Sequence, residues 1–151
     1  MQVGDICSRN VSWVSRGVRV LDAARRMRSE HVGDLVVIDE RDGHPTPIGV
    51  FTDRDVVVGI LAEDGEFISA LQVGDVIRDD SPVVTATEDE DLTAVLKRMR
   101  SFSVRRVPVV DEKGTLVGIL SIDDAIAALS DEIAEVAALV SHQAQREAQQ
   151  R

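Results

Sequence analysis

The chain has 151 residues, 44% of them hydrophobic and 29% charged, with a formal charge of −10 and only three Phe, one Trp and no Tyr. That is the size and composition of one compact soluble domain, and its core has to be aliphatic. The negative balance argues against holding nucleic acid or anionic lipid through the overall field, the single Cys excludes a disulfide framework, and no apolar run of about 18 residues is present to span a bilayer.

The N-terminal stretch MQVGDICSRN lacks the apolar core of a signal peptide, so a reducing cytoplasm is the simplest compartment. A short β-rich run, Val11 to Val14, precedes apolar residues at helical spacing, Val20, Ala23, Ala24 and Met27. Two short strands follow, Leu35 to Ile38 and Ile48 to Phe51, with Arg41-Asp42-Gly43 between them as a hairpin turn. A second helix is predicted from about Asp53 to Ala62. After a linker near Glu63 to Gly65 the same order returns. Val83 to Val84 read as strand, and Leu92, Val95, Leu96 and Met99 as helix. Val107 to Val110 and Leu116 to Leu120 form a second hairpin around Asp111 to Gly114, and a helix runs from Ile122 to Leu129. The tail from Asp131 is amphipathic at Ile133, Val136, Ala137 and Val140, then almost wholly polar from Gln143 to Arg151, where fraying is expected.

The returning order is a true internal repeat. Val20 to Ser29 (VLDAARRMRS) reappears as Leu92 to Ser101 (LTAVLKRMRS), and Val3-Gly4-Asp5-Ile6 as Val73-Gly74-Asp75-Val76. Val32 to Glu40 (VGDLVVIDE) matches Val104 to Glu112 (VRRVPVVDE), and Ile48 to Asp55 (IGVFTDRD) matches Val117 to Asp124 (VGILSIDD). The offset between copies drifts in two places, the acidic loop Glu88 to Asp91 and the stretch Gly43 to Pro47, both read as insertions in turns. Two copies are too few for a solenoid, so each must bury its apolar face against the other. The expected fold is α/β (α+β), two tandem β-α-β-β-α units packed with pseudo-two-fold symmetry. Residues 1-66 make the first repeat, 67-130 the second, and 131-151 a C-terminal helix with a frayed polar tail.

Thr52 with Asp55, and Ser121 with Asp124, are the best candidates for function. Each pair follows an apolar, Gly-containing strand and opens a helix. The plain reading is a capping box, in which the side chains satisfy orphan amides of the first turn. Recurrence at the same strand end in both copies adds a second reading, because ligands settle beyond the carboxyl ends of strands, where helix N-termini offer amides to anions. A hydroxyl and first-turn amides suit a phosphate, and the Asp suits ribose hydroxyls.

On these residues the chain resembles the cystathionine-β-synthase (CBS) domain pair, or Bateman module. GVFTDRD (Gly49 to Asp55) and GILSIDD (Gly118 to Asp124) match its closing motif, and VGDLVVID and VRRVPVVD look like its middle strand. The openings VGDICSRN and VGDVIRDD are similar to its first segment, with Ile-Cys and Val-Ile where Met-Thr is frequent. The resemblance covers about residues 2 to 130 and implies a regulatory module, not an enzyme, that binds AMP, ADP, ATP or S-adenosylmethionine between its repeats. Carried over by position, it implies a first cleft of Val50, Thr52, Arg54 and Asp55 with Asp80, Ser81, Pro82, Val104 and Arg105, and Arg106 beside them. A second cleft would use Ile119, Ser121 and Asp124 with Asn10, Val11, Val32 and Gly33. The clefts differ in charge. Arg54, Arg105 and Arg106 favour a nucleotide in the first, the plain reading of Arg105 and Arg106 being a solvated strand edge, whereas Gly33, Asp34 and Asp123 at the matching places suit a less charged ligand in the second.

Other residues carry less. Arg25, Arg26, Arg28, Lys97, Arg98 and Arg100 read as solvated helix faces, since no aromatics interleave for base stacking. His31, His44 and His142 lack ligand spacing, so no metal is expected, although His31 precedes the middle strand and can reach a cleft. Trp13 reads as a packed or interface indole, and Cys7 has no neighbouring base in sequence. The family implies a homodimer formed through helices, with Met27, Met99, Ile126 and Leu129 on candidate faces. The reading is a stand-alone adenine-nucleotide sensor acting on an unidentified regulated protein or on its own dimer. The alternative is a constitutive dimerisation or interaction module with empty clefts.

Overall fold

The computed structural model describes residues 1–77 and 82–149. The first half contains α1 (Val3–Ile6), β1 (Trp13–Ser15), α2 (Val20–Glu30), β2 (Asp34–Arg41) and β3 (His44–Thr52). It closes with a helical stretch, α3, that opens as a π turn (Asp55–Leu61) and continues through Ala62–Asp64 and Gly65–Phe67. The second half contains α4 (Val73–Val76), β4 (Ala86–Thr87), α5 (Leu92–Ser101), β5 (Arg106–Val110), β6 (Leu116–Ser121) and α6 (Ile122–Gln149). Each half builds one small mixed sheet, β1-β2-β3 and β4-β5-β6, its first pair parallel and its second antiparallel. This is the doubled α+β architecture expected from the repeat.

Local detail departs from the sequence reading in instructive places. Gly43 to Pro47 is not a loop insertion. The turn is the two residues Asp42 and Gly43, at φ 50° and 76°, and His44 to Pro47 extend β3 against β2. Two positive φ angles in a two-residue hairpin match the strand twist, and Gly supplies one without strain. Pro45 and Pro47 are tolerated because β3 is an edge strand. Both hairpins carry a bulge at the same place, between Val37 and Ile38 and between Val109 and Val110. The first strands lie further along than their apolar runs suggest, at Trp13–Ser15 and Ala86–Thr87, because parallel pairing to β2 and β5 fixes them. The run Val56-Val57-Val58-Gly59 combines β-branched crowding with a glycine, which disfavours a regular α-helix where α3 takes its π form.

Two cores form, and each is completed by the other half. Val20, Ala23, Met27, Leu35, Val37, Phe51 and Ile60 are joined by Val73 of α4. Leu92, Val95, Met99, Val107, Val109, Leu120 and Ala125 are joined by Val3 of α1. Backbone bonds fix the exchange. The Val3 amide donates to Glu90 O at 3.0 Å and that of Gly4 to Glu88 O at 2.8 Å, while Val73 donates to Val18 O and Gly74 to Arg16 O, both at 2.8 Å. Met27 and Met99 therefore cannot serve as interface faces. They are 6% and 3% exposed, because the inner stripes of α2 and α5 bury them. Ile126 and Leu129 are exposed, as expected. The helix predicted to end at Leu129 runs unbroken to Gln149, including the polar stretch for which the sequence predicts fraying.

Candidate functional site

Both closing motifs are reciprocal capping boxes. The Thr52 amide and hydroxyl each donate to Asp55 Oδ2 at 2.8 Å, and the Asp55 amide returns a bond to Thr52 Oγ1 at 3.2 Å. Ser121 and Asp124 repeat this at 2.9, 2.6 and 3.1 Å. The plain reading of these residues thus holds at both ends. In each box Oδ2 takes both bonds, and Oδ1 takes none that the described residues supply.

The second motif lies at a cavity of about 270 Å³ lined by Asn10, Ser12, His31, Val32, Gly33, Asp34, Arg106, Ile119, Ser121 and Asp124. Six of the seven residues expected around the second cleft are gathered there, from both halves of the chain. Val11 alone turns away, into a larger groove of about 480 Å³ with Arg9, Trp13, Leu116 and Val117. Alternation along an extended segment accounts for the split, since Asn10 and Ser12 face one side and Val11 and Trp13 the other.

Local structure explains how the walls are positioned. Ser8 and Ile119 exchange backbone bonds at 2.9 Å, which lays the first half's leading segment along β6. Gly118 makes this approach possible, because a Cβ there would lie 3.1 Å from both Cys7 Sγ and Ser8 O. Burial against β6 pushes the Cys7 thiol up from its ordinary range, which opposes a nucleophilic role. His31 ends α2 in the left-handed conformation, φ 55°, and lines the cavity as its place before the middle strand suggests. Trp13 is half exposed beneath the Arg26 guanidinium, 5.6 Å from its ring centre.

The charge at this cavity depends on one ion pair. Arg106 Nε lies 3.0 Å from Asp34 Oδ1. The two occupy matching places in the repeats, at the starts of β2 and β5. Asp34 is 8% exposed, and burial pushes its carboxyl above the usual range, Arg106 offsetting this and Asp53 adding to it. Sequence position places Arg106 beside the first cleft. Its side chain lines the second cavity, where it pairs with Asp34. The strand pattern marks the position but holds no signal for that direction.

Around the first motif, Val50, Thr52, Asp55 and Val104 are partly buried, and Arg54, Pro82 and Arg105 are exposed. Asp80 and Ser81 lie outside the described residues, and with them the wall they would form. Arg25 and Arg26 are paired with Asp22 and Glu30, and Arg98 with Glu90, consistent with solvated helix faces. Among the described residues no group of three or more His, Cys, Asp or Glu could hold a metal ion, and no helix is long and apolar enough to cross a membrane.

Comparison with known proteins accords with this arrangement. The model of the CBS domain matches residues 3–62 and again 73–131. Protein MK0525 of Methanopyrus kandleri is 31% identical over 82% of this chain, and the mitochondrial CBS domain-containing protein CBSX3 of Arabidopsis thaliana is 28% identical over 80%. The chain spans 60% and 57% of the length of those two relatives. Among solved structures, the CBS domain pair of protein MJ0100, in complex with 5′-methylthioadenosine and S-adenosyl-L-methionine, aligns with a TM-score of 0.70. It is 25% identical, over 87% of this chain and 98% of that one.

Proposed function

The chain belongs to the CBS domain family, and we propose that it is a regulatory module that holds an adenosine-containing ligand between its repeats, without chemistry of its own. The observation that carries this is the 270 Å³ cavity in which Ser121 and Asp124 of one half face Asn10, Val32 and Gly33 of the other. Its volume is near the lower end of small-molecule sites, about 300–1,000 Å³. Asp124 Oδ1, which takes no bond from the described residues, would accept from a ribose hydroxyl, and Val32 and Ile119 would offer apolar surface for a base. The ligands of the MJ0100 pair, an adenosine thioether and a sulfonium, support the same class.

The charge of the cavity narrows that class. Arg106 is already paired with Asp34, so a polyphosphate would have to take the guanidinium from a buried carboxylate and leave that carboxylate unpaired. A ligand with little negative charge on its 5′ side avoids this cost. The first cleft, where the resemblance adds the exposed Arg54 and Arg105 to Thr52 and Asp55, is the better place for AMP, ADP or ATP. Occupancy alters dimer or partner contacts only by its differential affinity for two states, a coupling of about 1–3 kcal/mol.

Calorimetric titration with AMP, ADP, ATP, S-adenosylmethionine and 5′-methylthioadenosine tests the reading. The expected result is saturable heat, weakened at least tenfold by Asp124→Ala for the less charged ligands and by Asp55→Ala for the nucleotides. Silence across the whole panel would favour the second reading, a constitutive interaction module, for which the exposed apolar face of α6 is the supporting observation.

A further inference from the structure

We infer that Arg26 and Glu30, on the last turns of α2, are positioning residues of the 270 Å³ cavity, holding its wall from Asn10 to Ser12 in place from outside. The inference rests on the reading of that cavity as a ligand site, and neither residue is among those that line it. Arg26 Nη1 donates to the Trp13 carbonyl, and its guanidinium lies 5.6 Å from the indole centre. Arg26 Nε donates to Glu30 Oε1 at 2.7 Å. Glu30 in turn takes a hydrogen bond from Ser12, which together with Arg26 keeps its carboxyl below the ordinary range.

The wall needs such support because residues 9–12 belong to no helix or strand. Just before it, the chain is pinned to the second half, where Ser8 exchanges backbone bonds with Ile119. Its far end is pinned to the first half. There the Val36 amide donates to Ser12 O at 2.9 Å, and the two side chains of α2 take hold of Ser12 and Trp13. The same helix runs on into His31, Val32 and Gly33, which line the cavity themselves. One helix end therefore sets two stretches of the cavity lining relative to each other. Support of this kind, from behind the groups that meet a ligand, is what keeps a site in its binding geometry.

The second half separates what is scaffold from what serves the cavity. Arg98 matches Arg26, and its Nη1 donates at 2.7 Å to the carbonyl of Thr85, the counterpart of Trp13. Both β1 and β4 are sheet edges, where a guanidinium satisfies an outward carbonyl. That bond is common to the two copies. The extension to the wall is not. Glu30 is matched by Phe102 and Ser12 by Val84, two apolar side chains that cannot make the hydrogen bond, and Arg98 pairs with Glu90 instead. The Glu30 and Ser12 contact is thus an addition on the side of the second cleft.

Titration with 5′-methylthioadenosine and acrylamide quenching of Trp13, the only tryptophan of the chain, test the assignment. Glu30→Ala is expected to weaken binding about fivefold with little change in melting temperature, and Glu30→Gln, which keeps the acceptor, to restore it. Without ligand, the quenching constant of Trp13 should rise about 1.5-fold in Glu30→Ala as the segment is released. Arg26→Ala should weaken binding at least as much. Arg98→Ala removes the matching carbonyl bond of the other half and should leave binding within about twofold of the wild type. Equal losses of affinity in Arg26→Ala and Arg98→Ala would overturn the inference, because a scaffold role alone predicts that they act alike. Wild-type affinity or wild-type quenching in Glu30→Ala would overturn it as well. A wild type that binds no compound of the adenosine panel would sink the ligand reading instead, and the quenching of Trp13 would still decide whether Arg26 and Glu30 hold the wall.

Discussion

Asp34 stands at the first residue of β2, beneath the cavity and almost out of reach of water. Burial holds its carboxyl above the ordinary carboxylate range despite Arg106, with Asp53 pushing the same way. Such a group binds protons more readily when the chain is folded. Its contribution to stability therefore rises as pH falls through the folded pKa, and is lost as pH rises through that value. Exposed carboxylates such as Asp22 and Glu30, held low by hydrogen bonds and by Arg19, Arg25 and Arg26, act in the opposite sense. Asp34→Asn keeps an acceptor for Arg106 and removes the titration. The melting temperature of the wild type relative to this variant is expected to rise as pH is lowered from neutral toward the ordinary carboxylate range. A difference that stays flat in calorimetric scans would show that Asp34 does not titrate abnormally. The positions of Ser121, Asp124, Asn10 and Gly33 were legible, because a motif repeated in register marks equivalent places. The reach of Arg106 was not, since it depends on a partner from the other half.

Elements divide along the same line between local and distant causes. α2 and α5 were legible through their apolar stripes, and the hairpin turns through Asp-Gly and Lys-Gly. α5 also has a strong local start, with the Asp91 carboxylate accepting from the amides of Thr93 and Ala94 at 3.0 and 3.3 Å. Arg19, at the start of α2, caps nothing with its side chain. Asp91→Ala is expected to cost about 1 kcal/mol in chemical denaturation. Removal of a side chain from Arg19 should leave capping unaffected. β1 and β4 were misplaced by two or three residues, because a strand of two or three residues is defined by its neighbour rather than by its own sequence. The C-terminal helix was legible in Ile133, Val136, Ala137 and Val140, but its unbroken junction with the preceding helix and its run through the polar stretch were not. Gln143 to Gln149 offer no apolar signal, yet they follow a helix already formed, and propagation needs far less than nucleation.

At the scale of the molecule the exchange of α1 and α4 between cores was invisible in the sequence. Val3-Gly4-Asp5-Ile6 and Val73-Gly74-Asp75-Val76 are so alike that either would suit either core. Only the path of the chain decides. Because Val73 is fully buried among the residues of the first half, Val73→Ala should lower stability by roughly 1–3 kcal/mol and leave a single calorimetric transition. Hydrogen exchange should show β2 losing protection at least as much as β5, although the substitution lies in the second half. Loss confined to β5 would contradict the exchanged core.

That interlock also limits how the protein can respond to whatever it binds. Two lobes joined by a single strand of chain can swing apart like a book. These cannot, because opening would pull a helix out of each lobe and break the bonds of Val3, Gly4, Val73 and Gly74 at once. The motion left to a signal is a small slide of one lobe along the other, which packed surfaces allow. Such a slide would be transmitted most directly through α6, whose base sits in one lobe and whose shaft reaches beyond both.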